Sequence, residues 1–276
     1  MMAENQDSMQ RENQIEASEL FSKAVTTGAR RLDRNMLEVS ISGVIAGMNV
    51  AFGAIAAAAV AGAIIASFGP GKEPLAHVMG AIVFPIGFIF VVIGRSELFT
   101  ENFLVPTVAV IAKRARLINL MRLWGLTLIG NLVGAVIVAA MVSIESYHGV
   151  PGRETLQHLQ HTADFLVNKR DFDASFYSAV FAGWLITLMT WLLISCRGVL
   201  AKVAIIWCVG FVIMVNSFNH VVVNTAEVLM AVFTKFPAVT LEGWVMHNFG
   251  PTLIGNIIGG LVFVTLLEYL KVMKSS

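Results

Sequence analysis

The chain consists of long apolar runs joined by short polar connections, behind a polar beginning. Six apolar stretches of at least 19 residues can be marked along it. A helix of about 20 residues is long enough to cross a bilayer core of roughly 30 Å, so each stretch is predicted to span a membrane. The predicted spans are 39–68, 75–93, 117–142, 175–195, 199–233 and 244–270.

The fifth run is interrupted near its middle by polar residues. Asn216, Ser217, Asn219 and His220 lie between two strongly apolar halves. Polar side chains at that depth usually line a cavity or a pathway and rarely face lipid. Lipid also tolerates a break in a spanning helix only where the backbone is buried in protein or lines water. This stretch is therefore predicted to be a broken span and the functional centre.

The second run is followed by a polar segment and then by another short apolar piece. Residues 94–102 contain Arg95, Glu97 and Glu101, and the apolar piece covers residues 103–112. At 1.5 Å per residue that piece is about 15 Å long, half the bilayer core. A second broken span is the favoured interpretation. The alternative, in which the span ends at Gly94 and a loop follows, stays open.

A repeated motif relates the third span to the sixth. Leu-Ile-Gly-Asn-x-x-Gly occurs around Asn131 and again around Asn256, 125 residues later. The broken spans are the second and the fifth, so spans 1–3 and 4–6 form two repeats. Because each repeat has an odd number of spans, the two are inverted relative to each other, with their broken helices meeting near the midplane. We predict an all-α membrane protein of six transmembrane helices, with Asn131 and Asn256 serving as packing residues that hydrogen-bond between spans.

Composition and charge exclude several classes of function. The chain is 57% hydrophobic and 13% charged, and its net charge is +1. This balance argues against a nucleic-acid partner. We find no metal-spaced His/Cys cluster, no glycine-rich phosphate loop and no nucleophile–base pair, so an enzyme, a cofactor and a metal are not expected.

Basic residues predict the orientation. Thirteen of them fall on the side of both termini, against five on the other side. Both termini are therefore expected in the cytoplasm of a multi-pass membrane protein. Residues 1–35 form a predicted cytoplasmic tail, either partly ordered or containing an interfacial helix. Residues 36–272 are predicted to form one six-span domain, and residues 273–276 the cytoplasmic C-terminal end.

Several polar residues in the apolar runs have two interpretations. His220 is the only histidine inside an apolar run, and it either lines a solute pathway or is a structural residue bonded to a loop such as Thr100. Arg95 either pairs with Glu97 or Glu101 or lies solvated in a vestibule. Glu227 either faces the pathway or contacts a neighbouring protomer.

These motifs together resemble the formate/nitrite transporter family over about residues 15–272. The resemblance depends on Phe84-x-x-Gly87, on Glu97-Leu98-Phe99-Thr100, on Ser217-Phe218-x-His220-x-x-x-Asn224 and on the two Gly-Asn-x-x-Gly segments. It implies an aquaporin-like fold, a homopentamer in the lipid bilayer, and one pore per protomer for a small anion.

The resemblance also implies roles for individual residues. His220 would lie at the midpoint of the pore with Thr100 hydrogen-bonded nearby, and residues 98–100 would gate the cytoplasmic mouth. Further pore-lining positions are Asn219 and Asn224. The implied constriction residues are Phe84, Phe88, Leu98, Phe99, Ile213 and Phe218, and the charged residues of the gating loop are Arg95, Glu97 and Glu101.

The chain departs from the family pattern at several positions. Members usually carry an acid before the histidine, where Asn219 stands here, and many carry a lysine that pairs with it before the fourth span. Lys169 and Arg170 do not fall at the matching spacing. The leading expectation is a channel for small monovalent anions or their conjugate acids, of the formate, nitrite or short monocarboxylate class. The alternatives are a pore for neutral solutes and a closed, regulatory protein that keeps the fold.

Overall fold

The computed structural model describes residues 17–146 and 152–275, and within these ranges the regular secondary structure is entirely helical. The predicted tail residues 1–16, the loop residues 147–151 and residue 276 lie outside the description. The helices are α1 (Ala17–Leu32), α2 (Met36–Phe68), α3 (Glu73–Val83), α4 (Ile86–Ile93), α5 (Val105–Ile111), α6 (Leu117–Ser146), α7 (Arg153–Asp164), α8 (Phe172–Ser195), α9 (Val199–Val215), α10 (Val221–Phe233) and α11 (residues 241–275, with π-helical turns at Trp244–Phe249 and Leu261–Leu266).

The six predicted spans match this helix pattern. Among the described residues, five helices are long and apolar enough to cross a membrane: α2, the α3–α4 helix (Pro70–Ile93), α6, α8 and most of α11 (Leu241–Met273). The fifth span is divided between α9 and α10, with the break at residues 216–220. The α3–α4 helix is interrupted at Pro85, because proline supplies no backbone N–H to the preceding turn.

Small residues bring α2 against α6 and α8 against α11. A Cβ atom at Gly47 would lie 2.8 Å from the Cα of Asn131, and one at Gly183 would lie 2.6 Å from the Cα of Asn256. Only glycine permits such an approach of two backbones, which is the way spanning helices associate without a hydrophobic driving force. Each repeat is therefore built on one tight pair of long helices.

The inverted repeat is visible in the details of both halves. The second piece of each broken span has 13 residues, Phe99–Ile111 and Val221–Phe233, and the two pieces start 122 positions apart. Each piece is followed by a lysine with a positive φ, Lys113 (57°) and Lys235 (59°). The agreement of length and terminal turn supports the equivalence of the two broken spans.

Helix α1 packs on the bundle at the end where α2 begins. Leu20 and Ala24 are buried against α5 and α8. The ammonium of Lys23 donates to the carbonyl of Ile194 at 2.8 Å, which ties α1 to the last turn of α8. Residues 17–32 of the tail are therefore helical, and contact of this helix with the membrane interface stays a prediction.

Helix α7 covers the opposite end of the bundle. It packs against α2 and α10, with Leu159 and Ala163 buried beneath it. Residues 153–164 of the long connection after the third span are thus folded over the surface. Together α7 and the break after α9 enclose a cavity.

Candidate functional site

Both broken spans stop in the same type of turn. After α4, Ser96 N–H donates to the carbonyl of Val91, and Arg95 adopts a φ of 58°. After α9, Phe218 N–H donates to the carbonyl of Ile213, and Ser217 adopts a φ of 50°. These are Schellman motifs, in which a left-handed residue satisfies the free carbonyls of the helix end. The breaks are therefore defined terminations and not irregular loops.

One asparagine fixes the chain beyond each turn. Asn131 accepts from Phe99 N–H at 2.8 Å and donates to the carbonyls of Gly43 (2.8 Å) and Glu97 (3.0 Å). Its equivalent in the second repeat makes the same three hydrogen bonds. Asn256 accepts from Val221 N–H at 2.9 Å and donates to the carbonyls of Ala179 and Asn219 at 2.8 and 2.9 Å.

The two asparagines of the Gly-Asn-x-x-Gly segments therefore join each break to the first helix of its own repeat. The sequence predicted hydrogen bonding between spans for these residues. The geometry adds that they also hold the break itself.

In each break, one polar side chain is bound by an arginine that precedes the first spanning helix of the same repeat. The carboxylate of Glu97 pairs with Arg34 and with Arg31, at N–O distances of 2.5 and 3.5 Å. At the equivalent position of the second repeat, Arg170 donates to the Asn219 side-chain oxygen at 2.6 Å. Arg34 and Arg170 each precede the first spanning helix of a repeat by two residues.

These contacts correct one expectation from the sequence and answer one question that it left open. Arg170 was expected not to reach the residue before the histidine, but the turn between α7 and α8 brings its guanidinium onto Asn219 and over the ring of Phe165. Burial lowers the pKa of Arg170 from its ordinary value, although a guanidinium stays protonated. Of the two interpretations left open for Arg95, the structure favours the solvated one, because the residue is exposed and has no ion-pair partner among the described residues.

Arg95 does not pair with Glu97 because other arginines compete for that carboxylate. Arg31 and Arg34 already bind that carboxylate, and the left-handed turn directs Arg95 to the surface. Glu101 is 9% exposed, and its Oε1 atom has no hydrogen-bond partner in the described part of the chain.

The two breaks touch at the centre of the bundle. The Nε2 atom of His220 lies 2.7 Å from the hydroxyl oxygen of Thr100, which belongs to the other break. Both residues are buried, at 1% and 0% exposure. The Nδ1 atom of His220 accepts from Val223 N–H at 3.3 Å, so His220 caps the N-terminus of α10. A neutral imidazole that accepts at Nδ1 carries its proton on Nε2, which then donates to Thr100.

A cavity of about 590 Å³ extends from the α7 side of the bundle to His220. Its inner part is lined by Asn219, Asn224 and three of the six predicted constriction residues, Phe84, Ile213 and Phe218. The ring of Phe218 is stacked on Phe181, with ring centroids 5.0 Å apart. These predicted pore residues are therefore brought together around the histidine.

The other three constriction residues lie on the far side of His220. Phe88, Leu98 and Phe99 are at most 2% exposed and do not line the cavity. Phe88 meets the His220 ring edge to face at 5.4 Å, and Phe99 packs on Phe103 and Trp124. The cavity consequently ends at His220, and packed aromatic rings close the side toward α1.

The sequence reasoning missed the polar mouth of the cavity. Three histidines and two acids line it: His77, His158, His161, Glu73 and Glu154. Burial and the neighbouring His161 and His77 lower the pKa of His158 to about 4. The available signal was the i, i+3 spacing of His158 and His161, which places two side chains on one face if the segment is helical, as it is here.

The comparisons with known proteins agree with this architecture. The family model for the formate/nitrite transporter matches residues 18–270. A curated relative from Methanothermobacter thermautotrophicus, described as a probable formate transporter, is 31% identical over 252 residues, covering 86% of this chain and 89% of the relative.

Two solved structures share the fold. A channel described as an FNT family ion channel is 25% identical and superposes with a TM-score of 0.78, covering 91% of this chain and 98% of that one. A pentameric formate channel with formate bound is 20% identical, with a TM-score of 0.74 over 86% of this chain and 98% of that one.

Proposed function

Because this chain belongs to the formate/nitrite transporter family, a family of membrane transport proteins and not of enzymes, we propose that each protomer conducts a small monovalent anion or its conjugate acid past His220. The observation that carries this proposal is the 2.7 Å contact of His220 with Thr100 at the inner end of the cavity. It joins the two breaks at one point, and that point is reached by the cavity.

The surroundings of His220 suit an anion that is protonated to its neutral conjugate acid. Transfer of an ion into an apolar passage costs far more than transfer of the neutral acid. The N-terminus of α10 points its partial positive charge at the same place, which favours an anion there by about 0.3–1 kcal/mol. Phe84, Ile213 and Phe218 supply the apolar wall. An anion can thus approach, and a neutral acid can pass.

In this proposal His220 acts mainly as a polar contact. Both ring nitrogens are occupied, Nδ1 by the backbone of α10 and Nε2 by Thr100. A solute oxygen can replace Thr100 as acceptor of the Nε2 proton without changing the charge of the ring. Thr100 then holds the imidazole in place between passages.

The assembly and orientation belong to the same proposal. A pentamer like that of the 20% identical formate channel would cover apolar side chains that this chain exposes on α3, among them Leu75, Val78 and Met79. The excess of basic residues on the α1 side supports a cytoplasmic position for both termini in a bacterial-type inner membrane. The cavity would then open to the outside of the cell.

The test is solute-driven flux in proteoliposomes that contain the purified full-length protein. Formate, nitrite, acetate, lactate and chloride are compared with urea as a neutral solute, and empty liposomes give the background. We expect formate-class anions to pass, and His220→Leu to reduce their flux at least about tenfold, a barrier of about 1.4 kcal/mol. His247→Leu, an exposed histidine away from the cavity, should leave flux unchanged.

A second function is favoured by one observation, the complete burial of Phe88, Leu98 and Phe99 below His220. A protein permanently closed there would be a regulatory or scaffold member of the fold. Flux no greater than in empty liposomes, for every solute and across pH, would establish that alternative. Flux of urea without anion flux would instead establish a neutral pore.

A further inference from the structure

One face of α10 carries polar side chains along the cavity wall. His220, Asn224 and Glu227 all line the cavity, at positions i, i+4 and i+7. Such spacing places side chains on one side of a helix. Seven residues of helix rise about 10 Å, so Glu227 lies that far from His220 toward α7.

Two of these side chains have a polar group without a hydrogen-bond partner. Asn224 is 4% exposed, and its oxygen faces the backbone N–H of His220 at 3.4 Å, which leaves its Nδ2 amide without a hydrogen-bond partner among the described residues. Glu227 is 5% exposed, and no hydrogen bond or ion pair to its carboxyl group exists in the described part of the chain. Native structures rarely leave buried polar groups unpaired, and such groups call for an explanation.

A bare carboxylate in this position would be costly. An ionised group that is buried without a counter-charge loses several kcal/mol of solvation. A proton on the carboxyl oxygen removes that cost and turns Glu227 into a hydrogen-bond donor. Asn224 and Glu227, three residues apart on one helix, then present two donors about 5–6 Å apart at their Cβ atoms. Two converging donors match an anion that has two oxygen atoms.

We propose that Asn224 and Glu227 form an outer binding position for a carboxylate-type anion, and that Glu227 gives this anion its proton before it reaches His220. This inference rests on the proposed channel function. The Asn224 amide donates to one oxygen of the anion and the Glu227 carboxyl to the other. The assignment also answers the question that the sequence left open for Glu227, since a side chain on the cavity wall faces the pathway.

The proton step balances without any other reactant than water. The O–H bond of Glu227 breaks while an O–H bond forms on the solute, which becomes the neutral acid. Glu227 is left as a carboxylate and recovers a proton from the water in the cavity mouth. No electrons are transferred, and one proton moves with each anion.

The groups around this position are few. Helix α7 contributes Glu154, His158 and His161 to the cavity wall, and α3 contributes Glu73 and His77. The other helices packed on α10, which are α2, α6 and the first turns of α11, contribute no charged side chain to the cavity lining. Glu227 is thus the innermost carboxyl group of the cavity, and the others lie at its mouth.

The experiment compares formate flux and the accompanying internal pH change in proteoliposomes between pH 5 and 8. Glu227→Gln keeps the shape and the hydrogen-bond donor but removes the transferable proton. We expect its flux at pH 7 to fall about tenfold or more, a moderate effect for a lost proton donor. The loss should shrink as pH falls, because the solution then supplies neutral acid. Glu227→Asp should restore part of the flux.

Glu242→Gln is the matched control, since it removes the same charge from an exposed residue that does not line the cavity. We expect less than about a twofold change and an unaltered pH profile. If wild type conducts and both glutamine variants behave alike, the proton role of Glu227 is refuted while the channel stands. If wild type does not conduct, the proposed channel function is refuted, and this inference, which rests on it, is refuted too.

Discussion

The substitution Asn256→Ala isolates the contact that holds the fifth-span break in place. It removes three hydrogen bonds of 2.8–2.9 Å, to Ala179, Asn219 and Val221, in a side chain that is 0% exposed. Hydrogen bonds between spanning helices contribute about 0.6 kcal/mol on average and up to about 1.7. Three of them, partly to backbone groups with no helical partner, give an expected loss of about 2–5 kcal/mol.

The assay is equilibrium unfolding of the purified protein in mixed micelles with increasing SDS, followed by circular dichroism. Asn248→Ala provides the control, because Asn248 lies on the same helix, is 1% exposed and makes no side-chain hydrogen bond to a described residue. We expect this control to cost less than about 1 kcal/mol. Equal losses for the two variants would show that the hydrogen bonds of Asn256 do not hold the break.

Three further predictions concern charged residues. Arg170→Gln should lower the unfolding free energy by about 1.5–3 kcal/mol through loss of the charged hydrogen bond to Asn219, and Arg170→Lys by less, as measured in the same SDS titration. Arg95→Gly should change the unfolding free energy by less than about 1 kcal/mol, since glycine accepts the positive φ and no described ion pair is lost. A larger decrease would indicate that Arg95 does pair with Glu97 or Glu101. The pKa of His158 is lowered to about 4, so the unfolded state binds more protons than the folded state between pH 6.5 and 4. The unfolding free energy should therefore fall as the pH is reduced through that window. His158→Gln should flatten this pH dependence, and an unchanged slope would contradict the assignment.

Much of the fold follows from local patterns in the chain. Apolar run length fixes the spans, and the polar residues around His220 and Glu97 mark the two breaks. The repeated Gly-Asn-x-x-Gly segments identify the equivalent helices, because only glycine allows the backbone approach seen at Gly134 and Gly259.

The partners of charged side chains could not be predicted in the same way. Arg170 reaches Asn219 across 49 positions, and Arg34 reaches Glu97 across 63, so neither pair follows from local spacing. Nearness in sequence left open whether Arg95 pairs with Glu97 or Glu101, and a left-handed turn directs it outward. The cavity mouth was missed because α7 and α3 meet only in three dimensions.

The central claim is that the cavity ending at His220 is the route of the solute. The most direct test places one cysteine at Met214, which lines the cavity, in a variant whose native Cys196 and Cys208 are replaced by alanine. A membrane-impermeant thiol reagent is then added to proteoliposomes while formate flux is recorded. Modification of this cysteine should abolish flux, and the cysteine-free parent should be unaffected. Complete modification with undiminished flux would contradict the claim.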